Sequence, residues 1–397
     1  MTMISNPTKE ELENRIAQLF NMLNTAENNF DTAIIISKVN QYYFTGTMQD
    51  GILIIKKDGA VAYFVRKSYD RAQLECQLDI VYKMSTYKDI LAVIPQALGN
   101  TFIETDIMPM ALIDRLKKYF IMEKINPLDK IILSLRAVKS DFELEIIAES
   151  GKQHQYLLEN IVPEILKEGM SETDFLSELY CRMVKQGHHG VSRFNMFQIE
   201  QIVGQIGFGD SSIYPTNFNG PGGMLGMSPA VPIIGNRNRY LKKGDLVFAD
   251  VGYGISGYHS DKTQVYSFGT KPGEKVIEVH SACIEIISKL ANLLKVNAIP
   301  AEIYKEITTN LPNSLSQHFM GYGESVKFLG HGVGLHIDEM PVIANSYKIP
   351  LKENMVVALE PKCGIVGVGT VGVEETYVVK ATGAVCLTGG PREIMVV

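Results

Sequence analysis

Asp250 and Asp261 stand on either side of Gly252-Tyr253-Gly254-Ile255-Ser256-Gly257. Residues 246–251 read as a buried strand and residues 258–268 as its return partner. Gly254 and Gly257 bracket a two-residue turn at Ile255-Ser256, the connection a tight hairpin uses. A turn centred there puts Asp250 directly across from Asp261 on one face. Like charges so placed repel, and buried unpaired carboxylates cost more still, so a bound cation would remove both penalties. Glu360 ends an apolar run, Met355 to Leu359, and Glu374 lies in a second strand beyond the bend at Gly367 and Gly369. If that bend is a hairpin tip, Glu360 and Glu374 also come face to face. Between the two hairpins sits Gly330-His331-Gly332-Val333-Gly334, a histidine whose glycine neighbours let the backbone approach closely. Four carboxylates and one imidazole suit two divalent ions with shared carboxylates: manganese first, then cobalt, zinc or iron.

The order Asp, Asp, His, Glu, Glu in these contexts resembles the pita-bread metallopeptidases: methionine aminopeptidase, aminopeptidase P, prolidase and the related creatinase. The matching stretches are Lys243-Gly244-Asp245, Gly257-Tyr258-His259-Ser260-Asp261 with Thr263, Gly330 to Leu335, Leu359-Glu360-Pro361 and Glu374-Glu375-Thr376. Leu135-Arg136-Ala137-Val138-Lys139-Ser140 is similar to the start of the catalytic domain in the prolidase and aminopeptidase P branch. Tyr42-Tyr43-Phe44-Thr45-Gly46 resembles part of its smaller domain. The resemblance implies an α/β (α+β) fold in two parts. An N-terminal creatinase-like α/β domain would cover residues 1–135, and a C-terminal pita-bread domain with a curved antiparallel sheet residues 136–397. It implies that Asp250, Asp261, His331, Glu360 and Glu374 hold two divalent ions. Those ions would share a water and lower its pKa, giving a hydroxide that cleaves a peptide C–N bond. Glu360 would take the proton and pass it to the leaving amine. A homodimer is expected on the same ground.

Three positions depart from the family's pattern. Its peptidases usually carry a histidine in the loop before the first metal strand, and residues 213–239 contain none. Its proline-specific members carry a second histidine seven positions after the metal histidine, where this chain has Asp338. An arginine that commonly precedes the last metal glutamate by two positions is Gly372 here. Asp338 suits recognition of a cationic substrate group, or a base, or only a turn in its loop. His336 is either a surrogate proton shuttle or a surface histidine. His188, His189 and His259 are more distant candidates. Three function classes stay open: a peptidase for short peptides with proline in second place, a creatinase-like enzyme for a small nitrogenous metabolite, and a non-catalytic binding protein on the same scaffold.

The rest of the chain must position these groups. Its 397 residues are comfortable for two domains, and 46% hydrophobic with 21% charged residues is an ordinary globular balance. A net charge of −6 without a basic block argues against nucleic acid, and no apolar run approaches a bilayer span. Five scattered cysteines and an N-terminus without an apolar core of a signal fit the cytoplasm. Helices are expected at 10–26, 141–168, 171–185, 276–294 and 301–309, and strands at 33–37, 51–56 and 60–65. Ser171 with Asp174 reads as a capping box. Residues 217–227, Asn-Phe-Asn-Gly-Pro-Gly-Gly-Met-Leu-Gly-Met, form either a lid over a pocket or a solvated connection, and no phosphate cradle.

Overall fold

The computed structural model describes residues 6–25, 28–196, 199, 201–315 and 317–397. Two compact units meet in sequence at Arg136 and Ala137. In the first, strands β1 (Thr32–Ile35), β2 (Asp50–Lys56), β3 (Val61–Lys67), β4 (Val81–Lys83), β5 (Ala97–Ile103) and β6 (Ile121–Pro127) make one sheet, ordered β4-β3-β2-β1-β5-β6. It is mixed: β1 runs antiparallel to β2 and parallel to β5. Ile34, Ile52, Ile54, Phe64 and Ile103 are buried together with Leu116 of a covering helix. The opening helix is Lys9–Leu23; of the expected span, Ala26 lies outside the described residues.

The second unit opens with a helix, Asp141–Tyr156, held at its start by a Ser140–Glu143 capping box. The expected single helix to residue 168 is interrupted. Val162 N–H bonds back to the Leu157 carbonyl in a wide turn, and helical structure ends at Ile165. Pro163 supplies no N–H to continue the ordinary ladder. The next helix, Glu172–Lys185, has the Ser171–Asp174 capping box expected from the sequence.

The remaining strands are β7 (Gly204–Phe208), β8 (Leu246–Ile255), β9 (Tyr258–Ser267), β10 (Gly330–Gly332), β11 (Glu339–Val342), β12 (Val356–Leu359), β13 (Lys362–Ile365), β14 (Gly369–Gly372), β15 (Glu375–Lys380), β16 (Gly383–Cys386) and β17 (Met395–Val396). They form sheets ordered β17-β9-β8-β7 and β11-β10-β12-β15-β16, with β13-β14 as a separate ribbon. All pairs are antiparallel except β17 with β9. Helix Glu274–Leu293 lays Val279, Cys283, Ile286, Ile287 and Leu290 into a core that also takes Phe248, Val357, Leu359 and Val371. Among the described residues, no helix is long and apolar enough to cross a membrane.

The β8–β9 hairpin corrects one expectation. Its turn is Ser256-Gly257, with φ of 48° and 93°, the two left-handed positions a type I′ turn requires. Glycine tolerates the second at no steric cost. The register therefore moves by two residues on the return strand: Asp250 faces Thr263, and Asp261 faces Gly252. The aspartates remain on one face, diagonal to each other rather than directly opposed.

Candidate metal centre

Asp250 lies between Gln205 of β7 and Thr263 of β9, and Asp261 sits one diagonal step away. The second carboxylate pair is brought up by two ribbons in a common register. Leu359 faces Glu375 in β12–β15 and Lys362 faces Gly372 in β13–β14, so Glu360 lies level with Glu374. Thr263 ties the pairs together: its N–H reaches the Glu374 carbonyl at 3.3 Å and its hydroxyl donates to Glu374 Oε2 at 2.8 Å. His331 comes from β10, beside Ala358 of β12. A Cβ on Gly330 would collide with the Ala358 carbonyl, and one on Gly332 with the Met340 carbonyl, so the flanking glycines permit this strand packing.

His331 Nδ1 donates to the Gly332 carbonyl at 3.2 Å, which leaves Nε2 facing the acids. That nitrogen lies 3.5 Å from Glu360 Oε1, 3.8 Å from Asp261 Oδ2 and 3.8 Å from Glu374 Oε1. Among the described residues, Glu374 Oε1 is buried without a hydrogen-bond partner. Asp261, His331 and Glu374 each offer a donor atom within 4.8 Å of the others. An orphaned carboxylate oxygen beside an imidazole nitrogen and a second acid is a donor set that fits a divalent cation. Burial raises the Asp261 carboxyl well above the usual range, and the Glu374 and Asp250 charges add to the rise. Burial lowers His331, but Asp338, Glu360 and Glu374 outweigh it, and the net shift is upward. Both directions mark a surplus of negative charge that a cation would relieve.

One residue of the site went unread in the sequence. Lys362 is fully buried, and its Nζ donates to Asp250 Oδ2 at 2.9 Å, Glu360 Oε2 at 2.8 Å and Glu374 Oε2 at 2.7 Å. Burial lowers its pKa, but these three acids overcome that and hold the ammonium well above its ordinary value. Burial also pushes Asp250 up, to about 6, with Lys362 opposing the rise. The signal was present: Lys362 follows Glu360 by two residues, the spacing that keeps side chains on one face of a strand. Its cross-strand partner is Gly372, where a Cβ would lie 2.5 Å from Lys362 Cα. The side chain missing at 372 and the one present at 362 belong to the same pair.

These groups share a cavity of about 30 Å³, room for a water or an ion. Asp250, Asp261, His331, Glu360, Glu374, Asp338 and Gln205 line it, and Phe194, Phe218 and Phe328 narrow it. Phe218 and Asn219 come from the glycine-rich 217–227 loop, and Phe218 meets Phe194 edge to face at 5.3 Å. Burial pushes the Asp338 carboxyl up, with His331 opposing it. The Gln205 amide is buried, and neither end has a hydrogen-bond partner among the described residues. His336 is buried beside Glu339, whose carboxylate accepts its backbone N–H at 2.7 Å, and it does not line the cavity. His188, His189 and His259 gather at the tip of the β8–β9 hairpin, outside the lining.

Comparison with known proteins gives the family. The description "Metallopeptidase family M24" matches residues 145–381, and "Creatinase/Prolidase N-terminal domain" matches residues 15–138. A protein called Xaa-Pro dipeptidase from Pyrococcus furiosus is 26% identical over 372 residues, 93% of this chain and 96% of that protein. Among solved structures, an Xaa-Pro dipeptidase from Bacillus anthracis superposes with a TM-score of 0.79 at 22% identity, covering 97% of this chain and all of that one. An X-Pro aminopeptidase from Thermotoga maritima gives 0.75 at 23% identity, with 96% and 99% covered. The chain belongs to metallopeptidase family M24, a hydrolase family, with a pita-bread catalytic domain preceded by the creatinase/prolidase N-terminal domain.

Proposed function

We propose that this chain hydrolyses the C–N bond of short peptides, with proline in the second position as the substrate class. The support is the cavity in which Asp261, His331 and the orphaned Glu374 Oε1 converge beside Glu360 and Asp338, together with a relative named Xaa-Pro dipeptidase along nearly the whole chain. Asp261, His331, Glu360 and Glu374 are the residues to hold metal, with Asp250 on the same face. A bound divalent ion supplies Lewis-acid polarisation of a carbonyl and acidifies water. Glu360 Oε1 faces the cavity while Oε2 is held by Lys362, so Oε1 is the atom to accept a proton and return it to the leaving amine. Asp338, which lines the cavity, is the group to hold a substrate amine, and the buried Gln205 amide, without a partner among the described residues, is the one to pair with a peptide group. His336, walled off beside Glu339, has no place in this reacting set.

Manganese as the metal, a homodimer and a cytoplasmic location are further parts of the reading, taken from the family and the composition. A second reading is a creatinase-like hydrolase of a small nitrogenous metabolite. Asp338 favours it, because a carboxylate there suits an ammonium or guanidinium and repels a free carboxylate. The deciding experiment is elemental analysis followed by assays with added manganese, cobalt or zinc. Substrates would be Xaa-Pro dipeptides, longer Xaa-Pro peptides and small guanidino compounds. Metal-dependent peptide cleavage is expected, weak on dipeptides for want of the two family histidines, with Glu360→Gln losing ~100- to 10,000-fold. A metal-loaded protein that cleaves only guanidino compounds would establish the second reading. One that cleaves nothing would leave the scaffold as a binding protein.

A further inference from the structure

We propose that the Lys362 ammonium permanently fills one of two cation positions among these carboxylates, so that the site takes a single divalent ion. The inference rests on the metal-site reading above and concerns how many ions that site admits.

Glu360 and Glu374 each divide their two oxygens between two places. Their Oε2 atoms, with Asp250 Oδ2, receive the lysine at 2.7–2.9 Å. Their Oε1 atoms turn the other way, toward His331 Nε2, which Asp261 Oδ2 also approaches. Two carboxylates bridging two positions is the arrangement a pair of shared cations requires. Here the first position already holds a positive charge with three acceptors at hydrogen-bond distance. The second is bordered by His331 Nε2, Asp261 Oδ2 and the Glu374 oxygen that is buried without a hydrogen-bond partner among the described residues. A divalent ion entering at Asp250 would have to displace a buried ammonium that has no exit, since the Lys362 side chain is fully enclosed. Charge balance points the same way. Four carboxylates against one ammonium and one divalent ion leave a single negative charge, to which Asp338 adds another. That surplus suits a substrate carrying an amine.

Manganese(II) alone, titrated into the full-length protein and followed by native mass spectrometry, reads the number of bound ions without reference to turnover. The wild type is expected to saturate at one ion and Lys362→Gly, which vacates the first position, at two. The wild-type number tests the proposal even if that variant fails to fold, and Lys362→Ala provides a second vacated form. Wild type saturating at two ions overturns the proposal and leaves the metallopeptidase reading standing. A folded Lys362→Gly that stays at one ion also overturns it. No ion on either protein would sink the metal reading itself, and this inference with it.

Discussion

One hairpin, β8–β9, carries two buried polar clusters, and they meet the cost of burial in opposite ways. Around Asp250 and Asp261 the groups are acidic and crowded, and their bonds come from the Thr263 hydroxyl and the Lys362 ammonium. Their compensation is a cation: the Lys362 ammonium on one side and, on the other, a place that fits a divalent ion. At the tip, the cluster is imidazole and stays neutral. His259 Nδ1 donates to the Gly334 carbonyl at 3.0 Å and its Nε2 accepts from Arg193 N–H at 3.4 Å. His189 Nε2 donates to the Val191 carbonyl at 2.7 Å and its Nδ1 accepts from Gly257 N–H at 3.1 Å. His188 Nδ1 accepts from Gly254 N–H at 2.9 Å. Burial lowers His188 and His259 to about 4 and His189 to about 2. Neutral rings with a donor and an acceptor can bond to backbone on both sides, as His189 and His259 do, while His188 Nε2 is buried without a partner among the described residues. Carboxylates accept only, so a dense group of them needs something positive. The difference separates a neutral cluster from one whose donor set suits a cation.

The comparison breaks most visibly at Lys362. Lys362→Met keeps the bulk and removes the charge, stranding three acids, and should cost ~3–5 kcal/mol by chemical denaturation of metal-free protein. A loss under about 1 kcal/mol would mean the acids are compensated elsewhere. The imidazole side is tested by acid. The folded-state pKa of His259 lies below its ordinary 6.5, at about 4, so the unfolded chain binds the extra proton. The stability this gives is full above pH 6.5 and is lost as pH falls from there toward 4. The loss is on the order of 3 kcal/mol for that one ring. His259→Gln should flatten the fall in melting temperature across that window, and an unchanged slope would remove the histidine cluster as its cause.

Gly372→Ala forces a Cβ against the Pro361 carbonyl and Lys362 Cα at a φ of 141°. It should destabilise by ~1–3 kcal/mol. Because the shift bears on Lys362, metal stoichiometry should change along with melting temperature; a change in melting alone would confine the effect to the β13–β14 ribbon. The smallest effect is expected at Asp338. Asp338→Asn should leave metal content intact and raise KM about tenfold for substrates with a free amine, the scale of one charged hydrogen bond. Equal kinetics on amine-bearing and amine-blocked substrates would make Asp338 a loop residue.

Much of this was legible along the chain. The capping box at Ser171 and Asp174, the glycine-flanked His331 and the strands that carry the acids are local patterns, fixed by backbone propensity and by side-chain alternation. The interrupted helix at residues 157–165 was less so, because Pro163 was present while the wide turn that accommodates it depends on packing. The aspartate register shifted by two residues because Ser256 takes a left-handed conformation that its side chain does not announce. His336 and Asp338 are two residues apart in sequence, yet Asp338 lines the cavity and His336 is buried against Glu339.

The sequence by itself determined the acids, the histidine and the order of the strands that present them, since strand alternation decides which face a side chain occupies. Only the tertiary structure decided what those acids meet. Lys362 is an ordinary charged residue in the chain, and its role depends on Asp250, 112 positions away, and on a glycine across the ribbon. Whether a buried charge finds its counter-charge is a matter of distances between strands distant in sequence, and electrostatic energy depends on those distances rather than on order along the chain.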